Sequence, residues 1–126
     1  MSVLSIAKGV KISPRKVAMV ATLVRGRTVD DALTILNYTQ RRSSTAVSKA
    51  IKSAQANAVH NHGYKSDSLV ISEISVTHGP RTKRFRPVAR GSANAFMLRT
   101  AHIRVVVDGD LRPSTKTKEA IKKETK

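Results

Sequence analysis

The residues of this chain that could carry covalent chemistry are few, and their spacing works against it. Ser13-Pro14-Arg15-Lys16 has the Ser-x-x-Lys spacing of an acyl-transfer serine and its lysine. That motif acts together with Ser-Asp-Asn and Lys-Thr-Gly segments, and the sequence contains neither. Asp30 and Asp31 are adjacent. On a helix neighbouring side chains point apart, so the two read as charges favouring a helix N-terminus rather than an acid/base pair. His60 and His62 are two apart and diverge on a helix in the same way. No nearby carboxylate or thiol completes a metal set around them. The chain has no cysteine, which excludes disulfides and thiolate metal sites. It also lacks a glycine-rich phosphate loop. Neither an enzyme nor a bound cofactor or metal is expected.

Positive charge, by contrast, is abundant. The 126 residues carry 24 Lys and Arg against 8 Asp and Glu, a formal net charge of +16. A field of that size repels its own folded state until an anionic partner neutralises it. The charge is also concentrated. Between Glu73 and Asp108 there is no acidic residue, while Arg81, Lys83, Arg84, Arg86, Arg90, Arg99 and Arg104 all fall in that window. Arginine dominates there, and its planar guanidinium suits bidentate contacts with phosphate. The densest polyanion available is nucleic acid.

The elements that must carry these charges can be read in order. Ile6, Val10 and Ile12 share a parity and suggest a short first strand. Ser13-Pro14 opens a helix over residues 14–25, with Val17, Val20, Ala21 and Val24 at i, i+3, i+4 and i+7. Gly26 ends it. Thr28 starts a second helix with Val29, Ala32, Leu33 and Leu36 on its buried side. A longer helix over about residues 43–62 has an alanine-rich inner stripe of Val47, Ala50, Ile51, Ala54 and Ala58, and Gly63 stops it. Residues 64–68 read as a polar turn.

Two alternating apolar runs, 70–76 and 101–107, then predict paired strands. Val70, Ile74 and Val76 are even-numbered, whereas Ala101, Ile103, Val105 and Val107 are odd. Both sets share a face only if paired numbers sum to an odd value, as in Val76 with Ile103. That register places the turn near Ala89-Arg90. From Thr77 to the tip the arm spans about a dozen residues, or ~40 Å at ~3.3 Å each. An isolated two-stranded ribbon is marginal in water, so this arm is expected to be ordered by a surrounding partner. The fold class expected is α+β: three helices on a small antiparallel three-stranded sheet, with a long protruding β-hairpin. The domain is expected over residues 1–110, with the arm at about 77–101 and a disordered basic tail over 111–126.

Aromatic residues are scarce, being only Tyr38, Tyr64, Phe85 and Phe96. Proteins that grip single strands by stacking need aromatic platforms, so recognition of backbone and shape is expected instead. No stretch approaches the ~20 apolar residues of a membrane span, and residues 1–10 lack the pattern of a secretory signal.

Several segments taken together resemble the bacterial form of the large-subunit ribosomal protein L-twenty-two family. They are Ile12-Ser13-Pro14-Arg15-Lys16-Val17, Val24-Arg25-Gly26-Arg27, Ala54-x-Ala56-Asn57-Ala58, Gly79-Pro80, Lys83-Arg84-Phe85-Arg86-Pro87, Ala89-Arg90-Gly91 and Thr100-x-His102-Ile103-x-Val105-Val106-Val107. Each is weak alone, and the ordered set is specific. The resemblance implies a non-catalytic ribosomal protein that binds large-subunit rRNA and helps it fold early in assembly. Its partners would be that rRNA, neighbouring large-subunit proteins and the nascent polypeptide. It would be a monomer within the ribosome, cytoplasmic in a bacterium or inside an organelle, with no membrane contact.

Carried over by residue, Lys83, Arg84, Arg86 and Arg90 match the basic end of the hairpin. Arg15, Lys16, Thr100 and His102 match the RNA-facing body and hairpin stem. Arg25, Arg27, Lys49, Lys52, His60, Arg81 and Arg99 complete the expected rRNA contacts. The tip lining the exit tunnel would comprise Arg86, Pro87, Val88, Ala89, Arg90 and Gly91. The returning strand, residues 92–98, departs from the family in being less basic, which leaves Phe96 or Met97 to pack into rRNA. The alternative function is a DNA-architectural or general nucleic-acid-binding protein, which would bind duplex DNA as well as rRNA.

Overall fold

The apolar periodicity of the helices decides which of their faces are buried. Helix α1 (Pro14–Val24) buries Val17, Val20, Ala21 and Val24, and α2 (Val29–Tyr38) buries Val29, Ala32 and Leu36. Helix α3 (Arg42–His62) buries Val47, Ala50, Ile51, Ala54 and Ala58. These helices belong to a computed structural model that describes residues 2–111. Met1 and residues 112–126 lie outside the described residues, and with them nearly all of the expected basic tail.

Local chemistry sets the helix ends. Thr28 caps α2 by accepting from the Asp31 N–H at 3.4 Å, and Asp30 and Asp31 occupy the first turn, where the dipole favours them. Gly63 ends α3 in the left-handed conformation at φ 66°. Ser13 does not cap α1 with its hydroxyl. Its carbonyl instead accepts from the Lys16 and Val17 N–H groups at 3.0 and 3.3 Å.

Strands β1 (Val3–Val10), β2 (Val70–His78) and β5 (Ala101–Asp108) form an antiparallel sheet in the order β1-β5-β2. Strands β3 (Thr82–Pro87) and β4 (Ala93–Leu98) form a separate antiparallel ribbon. Helix α3 lies across β1 and β5, and α1 packs on β2. The core is closed by Ile103, Val105 and Val107 of β5 and by Ile71 and Ile74 of β2. Among the described residues, no buried side-chain polar atom lacks a partner. The α+β expectation therefore holds, and no helix is long and apolar enough to cross a membrane among the described residues.

Three expectations need correction, and two of them trace to an irregularity in pairing. In β1 the inward residues are Val3 and Ser5, while Leu4 and Ile6 are exposed. The parity reverses only after a register shift between Ala7 and Val10, where Gly9 has φ 69°. Val10 and Ile12 then pack against the core. In β2 a register shift between Ile71 and Glu73 turns Val70 outward and buries Ile71 completely. Tyr64 lies not in a solvated turn but in the core, 2% exposed, and it forms a bridge with Leu111.

The expected pairing of Val76 with Ile103 is present. Beyond it, Gly79, Pro80 and Arg81 on the outgoing side face only Arg99 and Thr100 on the return, between the pairs His78↔Ala101 and Thr82↔Leu98. One extra residue bends the ribbon at this root. It also moves the turn by half a step, to a centre at Arg90 within Ala89–Gly91.

Candidate nucleic-acid interface

The arm has no core of its own. Every residue from Arg81 to Arg99 is exposed, so strand pairing and a few side-chain contacts alone maintain its shape. Its tip closes through the Val88 N–H donating to the Ser92 carbonyl at 2.9 Å. The Ser92 hydroxyl donates to the Ala89 carbonyl, also at 2.9 Å. Arg90 takes φ 58° and ψ 33°, an unusual left-handed conformation for a residue with a Cβ. Its side chain is exposed. Arg84 donates to the adjacent Lys83 carbonyl at 2.8 Å, which leaves most of its guanidinium donors free.

At the root the chain approaches itself closely. Gly79 donates to the Thr100 carbonyl at 2.9 Å, and the Thr100 hydroxyl donates to the Pro80 carbonyl at 2.8 Å. A Cβ on Gly79 would overlap that hydroxyl. Thr100 is therefore first a structural lock on the arm. His102, on the outer face of β5, accepts from the Gly9 N–H through Nδ1 at 3.0 Å.

Beside this root, Arg15 of α1 shares one cleft with His78, Arg81 and Arg99. Residues far apart in sequence thus place three arginines around one cleft where the arm leaves the body. A second basic region surrounds the start of α3. Lys11, Lys16, Arg41 and Arg42 line one cleft there, and Lys11, Arg42 and Lys49 line the next. Arg41, Lys49 and Lys52 line a third. The loop holding Arg41 is fixed by the Ser44 hydroxyl, which donates to the Arg41 and Thr39 carbonyls at 2.6 and 3.0 Å. Ser43 ties α3 to α1 by donating to the Lys16 carbonyl at 3.1 Å.

Lys16, Lys49 and Lys52 are thus gathered into one seam, and Arg15, Arg81 and Arg99 into another site. Lys11, Arg41, Arg42 and His78 are additions that the sequence reading missed. A signal for two of them was present: Arg41-Arg42 places cations at a helix N-terminus, where the dipole disfavours them. Arg25 and Arg27 are partly engaged in structure. Arg25 donates to the Ile74 carbonyl at 3.0 Å, pinning the end of α1 to β2. Arg27 donates through Nε to the Leu23 carbonyl at 3.0 Å, at the negative end of α1, which it follows. His60 stands apart, eleven residues along α3 from Lys49, or roughly 16 Å at 1.5 Å per residue. Among the described residues no group of three or more potential ligands is placed to hold a metal ion.

The chain thus presents a basic ribbon, a basic cleft at the ribbon's root and a separate basic region around the start of α3. The family description of ribosomal protein L22p/L17e matches residues 5–108. The chain is 53% identical over 103 residues to the large ribosomal subunit protein uL22 of Oceanobacillus iheyensis, a span covering 82% of this chain and 91% of that protein. It is 48% identical over 103 residues to the uL22 protein of Desulforamulus reducens, covering the same two fractions, 82% and 91%.

Proposed function

The chain belongs to the ribosomal protein L22p/L17e family and is a structural, non-enzymatic component of the large ribosomal subunit; from that premise we propose that it binds large-subunit rRNA through its arm and both basic regions. The arm threads between rRNA segments whose phosphates would otherwise repel one another. The tip, from Arg86 through Pro87, Val88, Ala89 and Arg90 to Gly91, lines the path of the nascent polypeptide. The body grips rRNA with Arg15, Lys16, Lys49 and Lys52, and with Arg41 and Arg42. Arg81, Lys83, Arg84, Arg86, Arg90 and Arg99 supply the arm's phosphate contacts. Early binding of this kind would favour compact rRNA during subunit assembly in the cytoplasm.

The observation that supports this most is the arm itself. A ribbon exposed from residue 81 to residue 99, inside a sequence window with cations and no carboxylate, contributes no fully buried side chain to the core. It gains a packed environment only when a polyanion surrounds it.

The test is the salt dependence of binding between the full-length chain and protein-free bacterial large-subunit rRNA. Each phosphate contact contributes about 0.7–0.9 to the slope of log K against log salt. Replacing Arg84 and Arg86 together by alanine should weaken binding and reduce that slope by roughly one to two. A slope unchanged from wild type would remove the arm from the RNA interface. Duplex DNA bound as tightly as rRNA at equal salt would favour the DNA-architectural alternative.

A further inference from the structure

The two phenylalanines of the arm stand in different chemical surroundings, and the ribbon register shows why. Arg84 pairs with Phe96 and Arg86 with Asn94, so these four side chains share one face. Lys83, Phe85 and Pro87 share the other face with Met97, Ala95 and Ala93. On the first face, the Arg86 guanidinium lies 5.4 Å from the centre of the Phe96 ring, within cation–π range. Phe96 is 38% exposed. On the second face, Phe85 is paired with Ala95, whose single methyl is too short to cover a ring. Phe85 is 73% exposed.

An uncovered phenyl ring on a ribbon without a core gains nothing from its own fold. We propose that Phe85 is a base-stacking residue: an unpaired nucleobase of large-subunit rRNA stacks on its open face while Lys83 meets an adjoining phosphate. This inference rests on the rRNA-binding reading and goes beyond it. It adds a contact with a base to a protein otherwise expected to read backbone and shape.

Charge identifies the occupant. Lys83 lies on the same face, two residues or roughly 6.6 Å along the strand, and its flexible stem extends its reach. Arg84 and Arg86 stand directly behind, and no carboxylate lies nearby in the sequence window to repel an anion. Nucleic acid alone joins a π-face to a phosphate in every repeating unit, and stacking accepts any base. A nascent peptide passing the same face would bring no regular negative charge to Lys83.

The full-length chain and its Phe85→Leu and Phe85→Trp variants decide the matter by equilibrium binding to protein-free bacterial large-subunit rRNA over a salt series. Because Phe85 is so exposed, leucine removes the ring without opening a cavity. Phe85→Leu should weaken binding roughly ten-fold at every salt concentration, since stacking rather than phosphate neutralisation is lost. Its salt slope should equal that of wild type. Phe85→Trp should bind at least as tightly as wild type.

Wild-type affinity in Phe85→Leu, on a background of salt-dependent binding, would overturn the stacking inference alone and turn this face towards peptide or solvent. A shallower slope in Phe85→Leu would also overturn it, because the ring would then merely position cations. Absence of salt-dependent binding in wild type would overturn the rRNA reading first, and this inference with it.

Discussion

Replacing Gly79 by alanine tests whether the arm root is locked as the structure shows. The added Cβ would overlap the Thr100 hydroxyl and lie 3.2 Å from the Thr100 carbonyl carbon. The side chain can move only by abandoning its 2.8 Å bond to the Pro80 carbonyl, a loss of about 1 kcal/mol. The backbone contact cannot yield so easily, because the Gly79 N–H is bonded to the Thr100 carbonyl at 2.9 Å. Crowding of that kind costs about 1–2 kcal/mol. Alanine also restricts the unfolded chain, which offsets about 0.5 kcal/mol. The net expectation is a loss of about 2 kcal/mol. With a urea slope of about 1–3 kcal/mol per molar, the unfolding midpoint should fall by about 1 M, read by far-ultraviolet circular dichroism. Thr100→Ala removes the clashing hydroxyl, so Gly79→Ala in that background should cost about 1 kcal/mol less than it does alone. Strict additivity of the two substitutions, or a midpoint for Gly79→Ala equal to wild type, would refute the lock.

Two further substitutions test other parts of the structure. Ile6→Thr should change stability by less than about 1 kcal/mol because Ile6 is exposed, whereas Ile71→Ala should cost about 2–5 kcal/mol because that side chain is wholly buried; urea unfolding of both variants checks the two strand parities. Changing Arg41 and Arg42 together to glutamine should stabilise the free chain by about 0.3–1 kcal/mol, by relieving the helix N-terminus of like charge. The same change should weaken rRNA binding and make its salt slope shallower, so a variant both more stable and equally tight would exclude these residues from the interface.

Much of the fold was legible because its signals are local. The 3.6-residue period of Val17, Val20, Ala21 and Val24 needs no knowledge of the partner surface, and neither do Thr28 and Gly63 at the ends of α2 and α3. Parity required paired numbers with an odd sum, because alternating runs on both strands share one buried face, and the pairing of Val76 with Ile103 offered as an instance is present. Parity fails where the ladder slips. Leu4 and Ile6 are apolar yet exposed, and only pairing with β5 decides which side of β1 faces α3. Val70 and Ile71 are both good strand formers, so composition could not say which of them the slip near Glu73 would bury. Tyr64 was hidden by its polar neighbours, since its place in the core and its bridge to Leu111, 47 residues away, are tertiary. The basic clefts were legible only as scattered charges. Arg15 comes to share a cleft with Arg81 and Arg99 through the packing of α1 on β2, a tertiary arrangement that no spacing encodes.

The places where this chain departs from local stability rules coincide with its proposed RNA surface. Helix α3 begins with Arg42 after Arg41, without an acidic residue in its first turn and without a side-chain cap. Helix α2 carries Asp30 and Asp31 at the corresponding position, so the same sequence can supply favourable charge where no partner is needed. Arg27 shows the complementary case, a cation set at a helix C-terminus where it stabilises the fold. Arg90 adopts a strained backbone at the tip although Gly91 beside it adopts φ 68° without strain. Phe85 stands uncovered while Phe96 on the opposite face lies within reach of Arg86. Each departure costs the free protein a little, and each places a cation or a ring outward. Sequences violate local consistency mainly where function compensates. On the function proposed, the compensation is one polyanion reaching the α3 cleft, the arm root and the tip together, so losing any one contact should weaken binding without abolishing it.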